Sequence, residues 1–208
     1  MQEIKDTNSY RQLLREKIME TAMSEFTKQG IRAVKMDDLS RQLGISKRTL
    51  YEIYNDKEEL LFQCVSHYDM QKQASLRQYS DTHNVIETII KAYHLKVKES
   101  KMVCPAFFED ILKYPKVRQY IHDERERGQR SFRLFMERGV TEGLFRQELD
   151  YELISHLFDA IGNHIMNNRL MQQFSIEKLF VNLFLVSLRG MCTPLGIKNI
   201  DEAIVRIQ

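Results

Sequence analysis

Within five consecutive positions the chain places Lys47, Arg48, Thr49 and Tyr51, which is two cations, a hydroxyl and a phenol. Their spacing predicts a short helix over 47–54, with Leu50 and Tyr54, four residues apart, turned inward and the polar set left outside. Such an outer face suits hydrogen bonding to phosphates and to base edges in a DNA groove. A helix built only to pack would not need it. Ser46 stands just ahead and is a good N-cap, because its hydroxyl can accept a free backbone N–H of the first turn.

The elements that must hold this helix lie on both sides of it. Upstream, Met36, Leu39 and Leu43 repeat at helical spacing and predict a helix over 36–43 with one buried stripe. Gly44 follows where a helix ends in a left-handed residue, and Ile45 plugs the turn into the core. Two short helices around a tight turn have the form of a helix-turn-helix, whose second helix enters the major groove. Downstream, Asn55 is placed to cap a third element, with Glu58 three residues on as in a capping box. Lys57 falls in the first turn of that element, where the helix dipole prefers anions. A cation there fits a helix end that a phosphate approaches. Before the pair, Leu14, Ile18, Ala22 and Phe26 predict a first helix over 9–28 closed by Gly30, with residues 1–8 as a mobile arm whose Lys5 could trail near DNA.

Charge is distributed to match. The net formal charge of +2 gives no global basic field, yet residues 28–48 hold Lys28, Arg32, Lys35, Arg41, Lys47 and Arg48 against Asp37 and Asp38. That local excess is the footprint of a site that needs phosphates on one face only. Cys64, Cys104 and Cys192 are odd in number and widely spaced, so they are expected to be reduced and packed as small apolar residues. No apolar run is long enough to span a membrane, and the first residues lack a signal-peptide core, so no membrane role and a cytoplasmic location are expected. Enzyme chemistry finds no constellation: there is no phosphate-cradling glycine loop, no nucleophile elbow and no paired zinc-ligand spacing. No cofactor is called for. His156 and His164, with His94 or Glu109, are the weak basis for an alternative, a helical ligand- or metal-binding bundle that does not bind DNA.

With three prolines, eight glycines and no strand alternation of useful length, the chain reads as all-α, about nine helices in all. A helix over about 56–79 is expected to leave the helix-turn-helix and enter a C-terminal bundle; at ~36 Å it is long enough to carry a change from one domain to the other. Further helices are expected from Val85, over 101–113, over 115–142, over 151–172 with Asp150 as cap, and over 175–191. The last two are the most apolar. Leu179, Phe180, Leu183, Phe184 and Val186 occupy more than one face, which calls for cover on more than one side. A second copy of the same pair would supply it in a two-fold interface. Aromatic and polar side chains of the bundle, Tyr68, Tyr93, Phe107, Phe108, Phe132, Met136, Phe158 and His164, are the candidates to line a small-molecule site.

The segment from Tyr10 to Leu61 resembles the DNA-binding domain of the TetR family of bacterial transcriptional regulators. The resemblance rests on Phe26-Thr27-Lys28-Gln29-Gly30, Met36-Asp37-Asp38-Leu39, Leu43-Gly44-Ile45-Ser46, Thr49-Leu50-Tyr51 and Lys57-Glu58-Glu59-Leu60-Leu61, in family order and spacing. It implies a homodimer, a repressor role and release from DNA when a small molecule binds the C-terminal domain. Two positions depart from the family pattern: Lys35, where Ser or Thr usually caps the helix, and Ile53, where many relatives carry an aromatic or histidine facing DNA. The expected organisation is a DNA-binding domain over 1–55 and an effector-binding and dimerisation domain over 56–208. DNA contacts are expected from Lys35, Met36, Ser46, Lys47, Arg48, Thr49, Tyr51 and Lys57. The expected partners are a palindromic double-stranded operator, a second copy of the chain through the two C-terminal helices, and a small effector that the sequence does not name.

Overall fold

The computed structural model describes the backbone of residues 2–205 and the side chains of residues 9–128 and 131–203. Among these residues every regular element is helical, apart from one isolated antiparallel bridge between Phe145 and Cys192. The first helix, α1 (Gln2–Gln29), starts well before residue 9, so most of the expected mobile arm is helix. No proline or glycine precedes Gly30 to stop it; the side chain of Lys5 lies outside the described residues.

The chain packs into two compact units. The first takes residues 1–73 and 101–124. It holds α1, α2 (Met36–Leu43), α3 (Lys47–Ile53), most of α4 (Lys57–Ser80), α6 (Pro105–Ile111) and the beginning of α7 (Pro115–Thr141). Its core gathers Ile18, Ala22 and Phe26 of α1 with Leu39, Leu50 and Leu60, and also Phe107 and Val117 from much later in the chain. A boundary drawn at residues 55 and 56 therefore does not follow the packing, because α6 and the start of α7 complete the core around the helix-turn-helix. Polar contacts repeat the pattern: Glu58 accepts the Lys116 backbone N–H at 2.8 Å, and Glu59 accepts from the Lys116 ammonium at 2.9 Å.

The second unit takes residues 74–100 and 125–208. It contains most of α5 (Val85–Met102), the rest of α7, α8 (Tyr151–Asn167), a short α9 (Leu170–Gln173), and α12 (Pro194–Val205). Between the last two, α10 (Ile176–Leu179) and α11 (Val186–Met191) are joined without a break by a π-helical segment, Phe180–Leu185. Asn84 and Glu87 cap α5 reciprocally: Asn84 Oδ1 accepts the Glu87 N–H at 2.9 Å, and Glu87 accepts the Asn84 N–H at 3.0 Å. The Asp150 carboxylate caps α8 as expected, accepting the N–H groups of Glu152 and Leu153. This helix ends at Asn167 rather than continuing to 172, and Arg169 takes a positive φ of 51° in the turn that follows. Arg138 clamps the turn between α4 and α5, donating to Ser80 Oγ at 2.6 Å, to the His83 carbonyl at 2.5 Å and to Glu142 at 2.6 Å.

Candidate nucleic-acid interface

The helix-turn-helix is built from local signals that all agree. Gly44 adopts φ 67°, ψ 27°; its N–H bonds the Arg41 carbonyl, and the Ile45 N–H reaches back to the Ser40 carbonyl at 3.0 Å. That pair of bonds is a Schellman ending, and it needs the left-handed residue that only glycine takes without steric cost. Ser46 then caps α3, its hydroxyl accepting the Thr49 N–H at 3.0 Å. Leu50 and Tyr54 are buried in the core, as expected, and Tyr54 donates its hydroxyl to the Arg15 carbonyl at 3.3 Å. Burial, with the neighbouring Cys64, pushes the Tyr54 phenol up to about 12, so it stays a protonated donor at neutral pH.

With those two side chains inside, α3 turns Lys47, Arg48 and Tyr51 to solvent, with Ser46 exposed ahead of them and Thr49 half-buried; Tyr51 is 44 % exposed. The cations are not idle in the free protein. Lys47 pairs with Asp37 across the turn, and Arg48 holds Glu52 at 2.7 Å one helical turn on. Solvent screens these exposed pairs, which leaves them weak and open to exchange for other partners.

Beside Tyr51 lies a cleft of about 410 Å³ lined by Arg32, Val34, Lys35, Met36, Asp37, Asp56 and Lys57. It sits at the start of α2, whose first amides have no acceptor within the helix and carry the positive end of the dipole. Lys35 occupies the N-cap position with extended backbone and makes no side-chain cap bond, which agrees with the departure noted at that residue. Met36 requires a correction. Its side chain is 6 % exposed and belongs to the core, because the stripe that buries Leu39 buries Met36 with it, while the residue still borders the cleft. The expected cap of α4 is also corrected. Asp56, not Asn55, caps it, Oδ1 accepting the Glu59 N–H at 2.7 Å, so the acid three residues on is Glu59 and Glu58 is released to bind Lys116.

Lys57 makes contacts that the sequence did not suggest. Its ammonium donates to the Val34 carbonyl at 2.5 Å and the Arg32 carbonyl at 3.4 Å, so it ties the loop between α1 and α2 to the start of α4. Burial lowers its pKa from the ordinary lysine value, while Asp110 pulls it partly back. Arg32 and Asp56 also line the cleft; Asp56 did not stand among the expected contacts, whereas Arg32 carried a signal as one more cation in the local basic stretch, placed to meet a flanking phosphate.

The candidate ligand residues are not brought together. Phe107 lies in the core of the first unit with Phe108 edge-on to it at 5.8 Å. Tyr68 lines a different cleft of about 270 Å³ with Glu16, Met19, Glu20, His67 and Gln71. Phe132, Met136 and Phe158 belong to the core of the second unit. There Tyr93 stacks on Phe180 at 3.9 Å, and the series continues through Phe184 to Phe158 and Phe132. His164 is exposed on α8 and contacts Asn168 at 3.1 Å. Among the described residues no group of three or more His, Cys, Asp and Glu side chains assembles as a metal site, and no helix is long and apolar enough to cross a membrane.

Residues 18–64 match the family described as bacterial regulatory proteins, tetR family. No curated protein sequence matches the chain. Solved structures resemble it over most of its length. A TetR-family transcriptional regulator from Marinobacter aquaeolei VT8 superposes with a TM-score of 0.71 at 16 % identity, covering 91 % of this chain and 96 % of its own. A protein from Saccharomonospora viridis, described as a transcriptional regulator and solved in complex with choline, gives 0.67 at 17 % identity, covering 88 % and 99 %. A TetR-family regulator from Agrobacterium tumefaciens gives 0.67 at 15 % identity, covering 88 % and 100 %. At these identities the structural likeness establishes the fold; the matched segment carries the DNA-binding domain.

Proposed function

The chain is a TetR-family DNA-binding regulator by its N-terminal domain, and from that premise we propose that it is a cytoplasmic homodimeric repressor released from a palindromic operator by a small molecule. The observation that carries this reading is the face of α3. Lys47, Arg48, Thr49 and Tyr51 surround the buried Leu50 and adjoin a cleft walled by Arg32, Lys35 and Lys57. In the proposed complex Arg48 contacts guanine O6 and N7, the contact arginine makes most often in the major groove. Lys47, Thr49 and Tyr51 take neighbouring base edges and phosphates, and Ser46 keeps its capping role. Lys35, Lys57 and the amide of Met36 hold one phosphate at the start of α2.

Dimerisation is proposed through α8 and the 176–191 rod. Leu153 and Leu157, one turn apart on α8, are 68 % and 49 % exposed, and Val181 and Val186 on the rod are 43 % and 63 % exposed. Apolar side chains left out in this density on the two most apolar helices mark a surface that a second copy covers. Two-fold symmetry then sets the half-sites ~34 Å, or a small multiple, apart. An effector site in the second unit is favoured by its aromatic series from Tyr93 to Phe132, and the choline complex of the Saccharomonospora viridis protein supplies the precedent for a small ligand on this fold. The DNA-reading residues fall mainly within 1–55, α4, α6 and the start of α7 complete the unit that holds them, and the second unit serves effector binding and assembly.

Gel-shift titration with the DNA flanking the protein's own gene tests the proposal. Retarded, salt-sensitive and sequence-specific complexes of two chains per site are expected. A chain that stays monomeric and retards no DNA in preference to random sequence contradicts it.

A further inference from the structure

On the reading just given, we infer that Asp110, which lies 78 residues from Arg32 in sequence, is a positioning residue for the phosphate cleft. The loop from Gly30 to Lys35 alternates between anchored and projecting residues. Ile31 and Val34 are fully or almost fully buried in the core, while Arg32 and Lys35 are exposed at the cleft. Between the anchors, Arg32 is held by its own backbone at both ends. Its N–H donates to Asp110 Oδ2 at 3.0 Å, and its carbonyl accepts from the Lys57 ammonium at 3.4 Å. One grip comes from α6 and the other from α4.

Asp110 is suited to the task. It is 6 % exposed, at the end of α6, and its second oxygen accepts from Lys113 at 2.8 Å. The helix that carries it is itself seated on the end of α1. The Cys104 N–H bonds the Thr27 carbonyl at 2.8 Å, and a Cβ on Gly30, which has φ +88°, would stand 2.8 Å from Ala106 Cβ. A carboxylate taken out of water is unfavourable unless its partners compensate. Here they are a lysine and one loop amide that water could otherwise have satisfied. An apolar side chain would fill the place as well if packing were the only need. What the carboxylate adds is a fixed direction for the Arg32 peptide, and with it the positions of the Arg32 and Lys35 side chains over the cleft.

The test compares wild type, Asp110→Ala and Asp110→Asn in the full chain by fluorescence anisotropy. Two duplexes of about 30 bp, one selected by the wild-type protein from a random pool and one of random sequence, are titrated from roughly 50 to 300 mM KCl. Asp110→Ala, checked by circular dichroism to be folded at the assay temperature, is expected to bind both duplexes about fivefold more weakly and to lower the salt slope by ~1, the signature of one lost phosphate contact. Asp110→Asn keeps an acceptor for the Arg32 N–H and is expected to recover most of both. A residue that only stabilises the fold would lower the melting temperature and leave the slope of the folded protein alone. Unchanged affinity and slope in folded Asp110→Ala overturns the inference. Should that variant not fold, amide exchange in the wild-type protein decides: protection of the Arg32 N–H supports the inference, and exchange at the rate of a free loop amide overturns it. Wild-type protein that binds neither duplex overturns the DNA reading itself, and this inference with it.

Discussion

Lys57→Met tests at once the carbonyl clamp that the structure shows and the phosphate contact proposed for this side chain. The ammonium donates to the Val34 and Arg32 carbonyls at 2.5 and 3.4 Å, and a hydrogen bond from a charged donor is worth roughly 1.5–3 kcal/mol when enclosed. Lys57 is only half-buried, so solvent screening reduces the net loss to about 1–2 kcal/mol. For a chain of this size each kcal/mol moves the melting temperature by about 2–4 °C, which predicts a fall of about 2–8 °C. Loss of the phosphate contact lowers the magnitude of the salt slope of DNA binding by ~0.9. Lys35→Met is the control, because Lys35 is exposed and makes no capping bond: it should reduce the slope by the same amount and leave the melting temperature within about 1 °C. Differential scanning fluorimetry and anisotropy in a KCl series measure both quantities on the same samples. Equal melting behaviour of the two variants would refute the carbonyl-clamp argument, and unchanged slopes in both would refute the phosphate cleft.

Three further outcomes follow from the same geometry. Arg48→Ala should lose about 1–3 kcal/mol on selected DNA and far less on random DNA, and equal losses on the two would sink the base-contact assignment. Leu157→Glu and Val186→Glu place a charge on each of the two exposed apolar faces of the proposed interface; sedimentation velocity should show monomers with unchanged helicity, whereas dimers that persist in both variants place the interface elsewhere. Acid should remove the contribution of Asp110. Burial alone would raise this carboxyl, but the hydrogen bonds from Lys113 and the Arg32 N–H outweigh it and hold the pKa below the ordinary value. A depressed folded-state pKa gives stability that is present in full above the unfolded pKa and is lost as pH falls through the folded one. The stability gap between wild type and Asp110→Asn in urea titrations should therefore close below about pH 4, and a gap that stays constant down to about pH 3 would contradict the assignment.

The parts legible in the sequence are those where short-range physics decides. Gly44, Ser46, Leu50 and Tyr54 each act within one or two turns of their own position, and the turn and α3 form as their types predict. The cap of α4 is ambiguous for the same local reason: Asn55 and Asp56 are both good caps, each with a glutamate three residues on, and only the packed structure selects Asp56. The final helix α12 has a signal in Thr193-Pro194, a hydroxyl cap before a first-turn proline; Thr193 Oγ1 accepts the Gly196 N–H at 3.2 Å. The π-helical segment Phe180–Leu185 leaves no mark, since its sequence has the same apolar spacing as an α-helix. Asp110 and the membership of α6 in the first core depend on contacts between residues far apart in the chain, which no periodicity encodes. The ligand candidates do not converge because an aromatic side chain carries the same sequence signal whether it packs a core or faces a cavity. Met36 shows the converse, a residue in the first turn of its helix, beside the cleft, whose own stripe turns it inward.

Selection of duplexes from a random pool by the wild-type protein, with sequencing of the bound fraction, addresses the central claim that α3 reads DNA. Enrichment of a two-fold-symmetric sequence is predicted, with half-sites ~34 Å or a small multiple apart, together with loss of base preference at matching positions in both halves when Arg48 is replaced by alanine. A bound fraction with no enriched sequence, or an enriched sequence that Lys47→Ala, Arg48→Ala and Tyr51→Ala all leave unchanged, would contradict it.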